Sequence, residues 1–304
     1  MSLETRTAVK DAQACTGAFL LQWRRDQLQR GGRPVDFDWL LDLSGGVSWS
    51  ALQQLRIDPD RTIHIQCSLK FLEDQWIRHV AEAIPLQHLV GSCPWRDVEL
   101  EASPAALIPR QETELLIDLA VQRIGRQPIR RWADLGTGSG ALAVALSCEW
   151  PEAEGHAVDL SSAALSLAWR NLQQCAPLHR CQLHCGSWWD PLQPWWGQFD
   201  LVLSNPPYIP SGQIAELDPV VRDHEPHLAL VGGRDGLDSI RRVLADADAA
   251  LSPGGLLLLE HHHDQSTAVL DLMQQAGLVE CEAVPDLQGV LRFAIACRPG
   301  GVIE

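Results

Sequence analysis

From residue 129 onward, short apolar runs rich in β-formers alternate with stretches of helical period, and this alternation narrows the possible folds more than any other feature. Residues 129–135, 155–160, 180–185, 199–204, 256–261, 279–284 and 290–296 read as strands. Helices are expected over 140–150, from Ser161 or Ser162 to 174, over 237–250 and over 265–276, with Ser252-Pro253-Gly254-Gly255 as a turn before the fifth strand. Parallel strands need crossover helices, and those helices must cover both faces of the sheet. The pattern therefore predicts a Rossmann-like α/β domain with a doubly wound, mostly parallel seven-stranded sheet.

Residues 1–85 carry helical spacing and are expected to form a small domain that packs or docks a partner. Val9, Ala12, Phe19, Leu20 and Trp23 recur at three- and four-residue steps before Gly31-Gly32. Shorter helices are expected over 38–43 and 50–55. Ser68 is placed to cap a fourth, with Leu69, Leu72, Trp76 and Val80 on one face. Residues 62–67 fit no helix and read as extended. Alternation at Val98-Glu99-Leu100-Glu101 and on the approach to Leu107-Ile108, with Ser103-Pro104 between, predicts a β-hairpin linker within 86–114. The βα domain then occupies 115–304. Glu112 and Glu114 suit the first turn of a helix over 115–121, but Arg110 has no such explanation.

Charge and cysteine usage bound the chemistry. A formal net charge of −15, with Lys10 and Lys70 the only lysines, opposes binding nucleic acid by phosphate neutralisation. A small molecule or a basic protein is the better partner for an acidic enzyme. The apolar runs 141–146 and 256–259 are too short for a membrane span. No secretory leader is recognisable, so a cytoplasmic protein is expected; a monomer is expected as well. Nine scattered cysteines without a Cys-x-x-Cys pair read as reduced thiols. Cys181, His184 and Cys185 lie in an alternating strand, and His261-His262-His263-Asp264 looks like a strand-end run whose side chains alternate. No metal is expected at either.

Three features carry the chemistry. Asp134-Leu135-Gly136-Thr137-Gly138-Ser139-Gly140 joins the first strand to its helix, and its glycines allow a ligand to approach the backbone. The Gly-x-Gly-x-Gly spacing is not that of dinucleotide folds. Asp159 ends the second strand, where a carboxylate is placed to accept ribose hydroxyls. Asn205-Pro206-Pro207-Tyr208 follows the fourth strand and makes a rigid turn with one amide and one aromatic face, a clamp for a planar group bearing NH2. All three lie at the carboxyl ends of strands, where open α/β sheets bind ligands. Of Trp188, Trp189, Trp195 and Trp196, Trp188 is placed to pack beside an adenine ring.

The glycine loop followed by Asn205-Pro206-Pro207-Tyr208 resembles the class I S-adenosylmethionine-dependent methyltransferases that act on planar NH2 groups. Leu107-Ile108-Pro109-Arg110-Gln111-Glu112-Thr113-Glu114 and Pro85-Leu86-Gln87-His88-Leu89-Val90-Gly91 resemble, more narrowly, the release factor glutamine methyltransferases of the PrmC/HemK family. So do Glu225-Pro226 and Ala229-Leu230-Val231-Gly232-Gly233-Arg234-Asp235-Gly236. The resemblance covers roughly residues 80–296 and is poor in the first domain. It implies S-adenosyl-L-methionine as cofactor, held by Gly136, Thr137, Gly138, Ser139, Gly140, Asp159, Trp188 and Asn205. It implies as substrate the glutamine of the Gly-Gly-Gln motif in class I peptide chain release factors, gripped by Asn205, Pro206, Pro207 and Tyr208. Asn205, Pro206 and Tyr208 would be catalytic: two oxygens aimed at the amide N–H bonds and a ring stacked on its plane. A ribosomal-protein glutamine, or an adenine or guanine amine in nucleic acid, would suit the same clamp.

Overall fold

The computed structural model describes residues 12–178 and 180–300, which divide into two compact units. The first holds the described residues up to Gly91 together with Pro219–His224. Strand β1 (Gln13–Thr16) pairs antiparallel with β2 (Thr62–Ile65), so the extended reading of 62–67 holds while the first helix starts later than expected. That helix, Gly17–Leu28, begins where Thr16 Oγ1 accepts the Phe19 N–H at 3.3 Å. Val9 lies outside the described residues. Pro34–Leu43, Trp49–Ile57, Leu69–Glu82 and Leu86–Val90 complete the larger helices. Ser68 does cap its helix, accepting from Phe71 N at 3.1 Å, and Leu72 and Trp76 are buried on one face. Phe37 meets Trp76 edge-on with ring centroids 4.9 Å apart. The distant Pro219–His224 segment joins this unit through His224, whose Nε2 lies 2.7 Å from the Glu82 carbonyl oxygen.

The second unit opens with a hairpin of β3 (Ser92–Trp95) and β4 (Val98–Glu101). The expected pairing of 98–101 with the approach to Leu107-Ile108 is therefore wrong. Residues 107–110 leave the sheet because Pro109 lacks a donor and the Ile108 N–H is taken by Glu225 Oε2 at 3.0 Å. Helix Glu114–Ile124 follows. The sheet strands are β5 (Arg131–Leu135), β6 (Glu154–Asp159), β7 (Cys181–Cys185), β8 (Phe199–Ser204), β9 (Leu251–Glu260), β10 (Val279–Pro285) and β11 (Leu291–Cys297).

Their order is β10-β11-β9-β8-β5-β6-β7, parallel except that β11 runs antiparallel to both neighbours. Two local expectations fail. The turn at 252–255 is a bulge within β9, where the register jumps from Phe199↔Leu251 to Leu201↔Leu256. The helix expected over 237–250 is two, Asp238–Ala245 and Ala247–Ala250, broken where Asp246 takes φ −117° and ψ 7°.

Alternation along β8 builds both faces of the core. Leu201 and Leu203 pack with Leu116, Leu142 and Leu172, while Val202 packs with Ile240, Val269 and Met273. Each such fully buried side chain contributes about 1.5–3 kcal/mol. After β5 the chain winds outward to β6 and β7, then returns to β8 on the other side of β5. The crevice at the carboxyl ends of β5 and β8 is thus the topological switch point. Among the described residues no helix is long and apolar enough to cross a membrane.

Candidate active site

At that switch point lies a cavity of about 280 Å³. One wall is the turn after β5. Gly136, Gly138 and Gly140 sit at φ +79°, +56° and +84°, a region costly for any side chain. The turn is tied down by its own polar groups. Gly136 N and Thr137 N both donate to the Val158 carbonyl at 2.9 Å, and Thr137 Oγ1 donates to Asp134 Oδ2 at 2.6 Å. Burial pushes the Asp134 carboxyl up to about 7, although the Thr137 hydroxyl opposes the rise.

Asp159, at the end of β6, accepts Gly138 N through Oδ2 at 2.9 Å and Ser161 N through Oδ1 at 2.8 Å. Burial holds its carboxyl above the usual range, partly offset by these N–H groups. The carboxylate lines the cavity with acceptor capacity to spare. Trp188, at φ +46°, turns its ring over the glycine turn, 3.4 Å from where a Cβ on Gly136 would stand. Trp189 is instead buried, its indole N–H on the Val243 carbonyl at 2.7 Å.

The opposite wall is the turn after β8. Asn205 Nδ2 donates to Thr113 Oγ1 at 2.9 Å, and Thr113 Oγ1 donates to Glu260 Oε2 at 2.7 Å. Tyr208 OH donates to the second oxygen of Glu260 at 3.0 Å. Gln265 Nε2 donates to the Tyr208 carbonyl at 3.0 Å. Segment 231–236 packs so closely on this turn that a Cβ on Gly232 would meet the Pro207 carbonyl at 2.7 Å. One on Gly236 would meet the Tyr208 carbonyl at 2.3 Å, so glycine is required at both.

Gly136, Thr137, Gly138, Ser139, Asp159, Trp188, Asn205 and Pro207 line the cavity together. Gly140, Pro206 and Tyr208 do not. Gly140 serves packing: its Cβ would lie 2.9 Å from Ala168 Cα, so glycine lets two helices meet. Sequence reasoning missed Thr113 and Glu260 as supports of Asn205, and Glu225 as the partner of Arg110. Thr113 had a signal, since it lies within the 107–114 stretch already singled out. The histidine run also differs from expectation. Because β9 ends at Glu260, alternation does not separate the side chains, and ligand atoms of His262, His263 and Asp264 come within 4.8 Å. His262 Nδ1 and Asp264 Oδ1 are hydrogen-bonded at 2.6 Å, and the His262 and His263 rings lie 4.1 Å apart.

The backbone-exposing glycines, a carboxylate with spare acceptor capacity and an indole face suit a nucleoside-bearing ligand. Residues 111–221 match the family model described as the methyltransferase small domain. A protein of Prochlorococcus marinus named release factor glutamine methyltransferase is 54% identical over 282 residues, covering 92% of this chain and 96% of that one. One of the same name from Gloeobacter violaceus is 42% identical over 264 residues, covering 86% and 89%. Among solved structures, the hMettl16 catalytic domain in complex with MAT2A 3′UTR hairpin 6 aligns with a TM-score of 0.54 at 14% identity, covering 77% of this chain and 82% of that one. That likeness is one of fold, the class I methyltransferase domain.

Proposed function

The chain belongs to the release factor glutamine methyltransferase family, and on that premise we propose that it methylates the side-chain nitrogen of the glutamine in a release factor's Gly-Gly-Gln motif, with S-adenosylmethionine as donor. The observation that carries the reading is the polarity of Asn205. Its amide nitrogen is committed to Thr113, and no protein donor among the described residues takes its Oδ1. An acceptor oxygen therefore stands at the wall of a cavity suited to the donor.

When bound, S-adenosylmethionine supplies a methyl group already activated by its sulfonium. Asp159 would hold the ribose hydroxyls, the turn at Gly136 and Gly138 would let the ligand approach the backbone, and Trp188 would cover the adenine. The acceptor is the harder problem. An amide nitrogen is weakly nucleophilic because its lone pair is delocalised into the carbonyl. Asn205 Oδ1 would accept one of its N–H bonds and, with the substrate seated against the turn, the Pro206 carbonyl, which lies outside the cavity lining, would accept the other. Together they orient the nitrogen and stabilise the positive charge that grows as the N–C bond forms and the C–S bond breaks. The extra proton leaves to water afterwards. Tyr208, anchored to Glu260 and outside the cavity wall, braces the turn that presents these oxygens. The reaction belongs to translation termination in the cytoplasm.

Incubation with labelled S-adenosylmethionine tests this directly. Label should enter an intact release factor and not its Gln-to-Ala variant in the Gly-Gly-Gln motif. Equal labelling of both proteins, or label in DNA or RNA alone, would overturn the reading.

A further inference from the structure

We infer that Glu260 is a positioning residue for methyl transfer, acting through Thr113 to set which end of the Asn205 amide faces the acceptor. The inference rests on the function proposed above. Glu260 is 2% exposed, at the end of a strand that reads Leu256 to Leu259 before it. Taking a carboxylate out of water into such a place is strongly unfavourable. A leucine would fill the same position without that cost, so packing does not explain the acid.

What explains it is the pair of hydroxyls it receives. Thr113 and Tyr208 lie 147 and 52 residues away in sequence, and they approach different oxygens of one carboxylate. Burial pushes the Glu260 carboxyl up and the two hydroxyls pull it back down; in its ionised form it only accepts, and both hydroxyls donate to it. Thr113, having given its hydrogen to Glu260, offers Asn205 only a lone pair. Asn205 must then turn its NH2 toward Thr113 and its oxygen away. The two ends of a side-chain amide have nearly the same shape, and only hydrogen bonding distinguishes them. Reversed, the Asn205 amide would point N–H bonds at the N–H bonds of the acceptor. Glu260 thus fixes a polarity two hydrogen bonds away, and through Tyr208 it also fixes the turn that carries Asn205.

The test is a set of variants assayed with the full chain, a release factor and labelled S-adenosylmethionine. Thr113→Val keeps the shape and removes the relay, and it should lower kcat by about tenfold or more. Calorimetry should find cofactor affinity within about threefold of wild type, since the loss lies in the transferred group's alignment. Thr113→Ser keeps the hydroxyl and should restore most of the loss. Glu260→Leu accepts from neither hydroxyl and should fall with Thr113→Val. In an Asn205→Ala background Thr113→Val should cost nothing further, because no amide remains to orient. Normal kcat in Thr113→Val, failure of Thr113→Ser to rescue, or full additivity with Asn205→Ala would each overturn the inference. If wild-type protein does not label the release factor, the proposed function fails instead.

Discussion

Arg110 Nη2 donates to Glu225 Oε1 at 2.6 Å, and the other oxygen of that carboxylate accepts the Ile108 N–H at 3.0 Å. The Glu225 side chain is 1% exposed and that of Arg110 32% exposed. One acid therefore clasps the 108–110 strand of chain against the segment that begins at 225, and both Arg110 and Pro226 wall the cavity. Arg110→Ala would strand a buried charge. It should cost about 2 kcal/mol, less than for a fully buried pair because water already reaches the guanidinium. Arg110→Ala with Glu225→Gln should recover part of that loss. Urea denaturation of the two single variants, the double variant and wild type closes the cycle, and strictly additive costs would show that the two residues are not coupled.

Asp159 both clamps Gly138 and faces the cavity, so its removal should act on cofactor binding before turnover. Asp159→Ala should weaken binding about ten- to a hundredfold, the value of losing one or two charge-assisted hydrogen bonds. The sign of the pH effect follows from the raised carboxyl. Ligand hydroxyls favour the ionised form, so affinity should fall as pH drops through a value higher than that of an ordinary aspartate. Asp159→Asn should bind weakly without that acid limb. Titration calorimetry across the acidic range measures both, and unchanged affinity in Asp159→Ala would remove the ribose assignment.

Asn205 makes a different split. Asn205→Ala should lower kcat about a hundred- to a thousandfold, the scale of losing one oxygen or N–H aimed at transition-state charge. Stability should change little, because Asn205 is only partly buried and its one side-chain hydrogen bond among the described residues is to Thr113. Single-turnover methyl transfer at saturating cofactor isolates the step. Near-normal turnover in folded Asn205→Ala would exclude the acceptor role.

The features legible in the sequence are local ones. Phe199–Ser204 was readable to the residue because a run of apolar positions ends at Asn-Pro-Pro. The glycine turn, Asp159 and Asn205 could be placed together because each ends a parallel strand, and topology brings those ends to one edge. The supports of Asn205 were not readable in this way. Glu260 after four leucines looks like an ordinary strand end, and nothing near it announces a hydroxyl 147 residues earlier. Two errors have the same origin. Helical spacing ran past Gly17 into Gln13–Thr16, which becomes a strand only because Thr62–Ile65 lies beside it. Alternation at Val98–Glu101 was read correctly, but its partner contains Pro94, a residue that argues against a strand unless it lies at an edge.

His156 and His184 give the last prediction. His156 Nδ1 lies 3.0 Å from His184 Nε2, with the Trp195 ring 4.3 Å and the Phe199 ring 5.6 Å from the His156 ring. Burial first, then the neighbouring His184 and Arg131, pushes His156 down to about 4, against a weaker opposing pull from Glu154. Burial pushes His184 down as well. Unfolding would return His156 to its usual 6.5, so between the two values the unfolded chain binds more protons. The stability this provides is complete above 6.5 and is lost as pH falls toward 4, with an upper limit of about 3 kcal/mol for His156. Asp134 acts in the opposite sense, because its raised carboxyl takes up a proton in the fold between 7 and 3.8. The wild-type profile therefore mixes both signs, and the difference from His156→Leu/His184→Leu is diagnostic. Urea denaturation at a series of pH values should show wild type losing stability on acidification relative to the double variant. Parallel profiles would mean that the two imidazoles titrate normally in the folded chain.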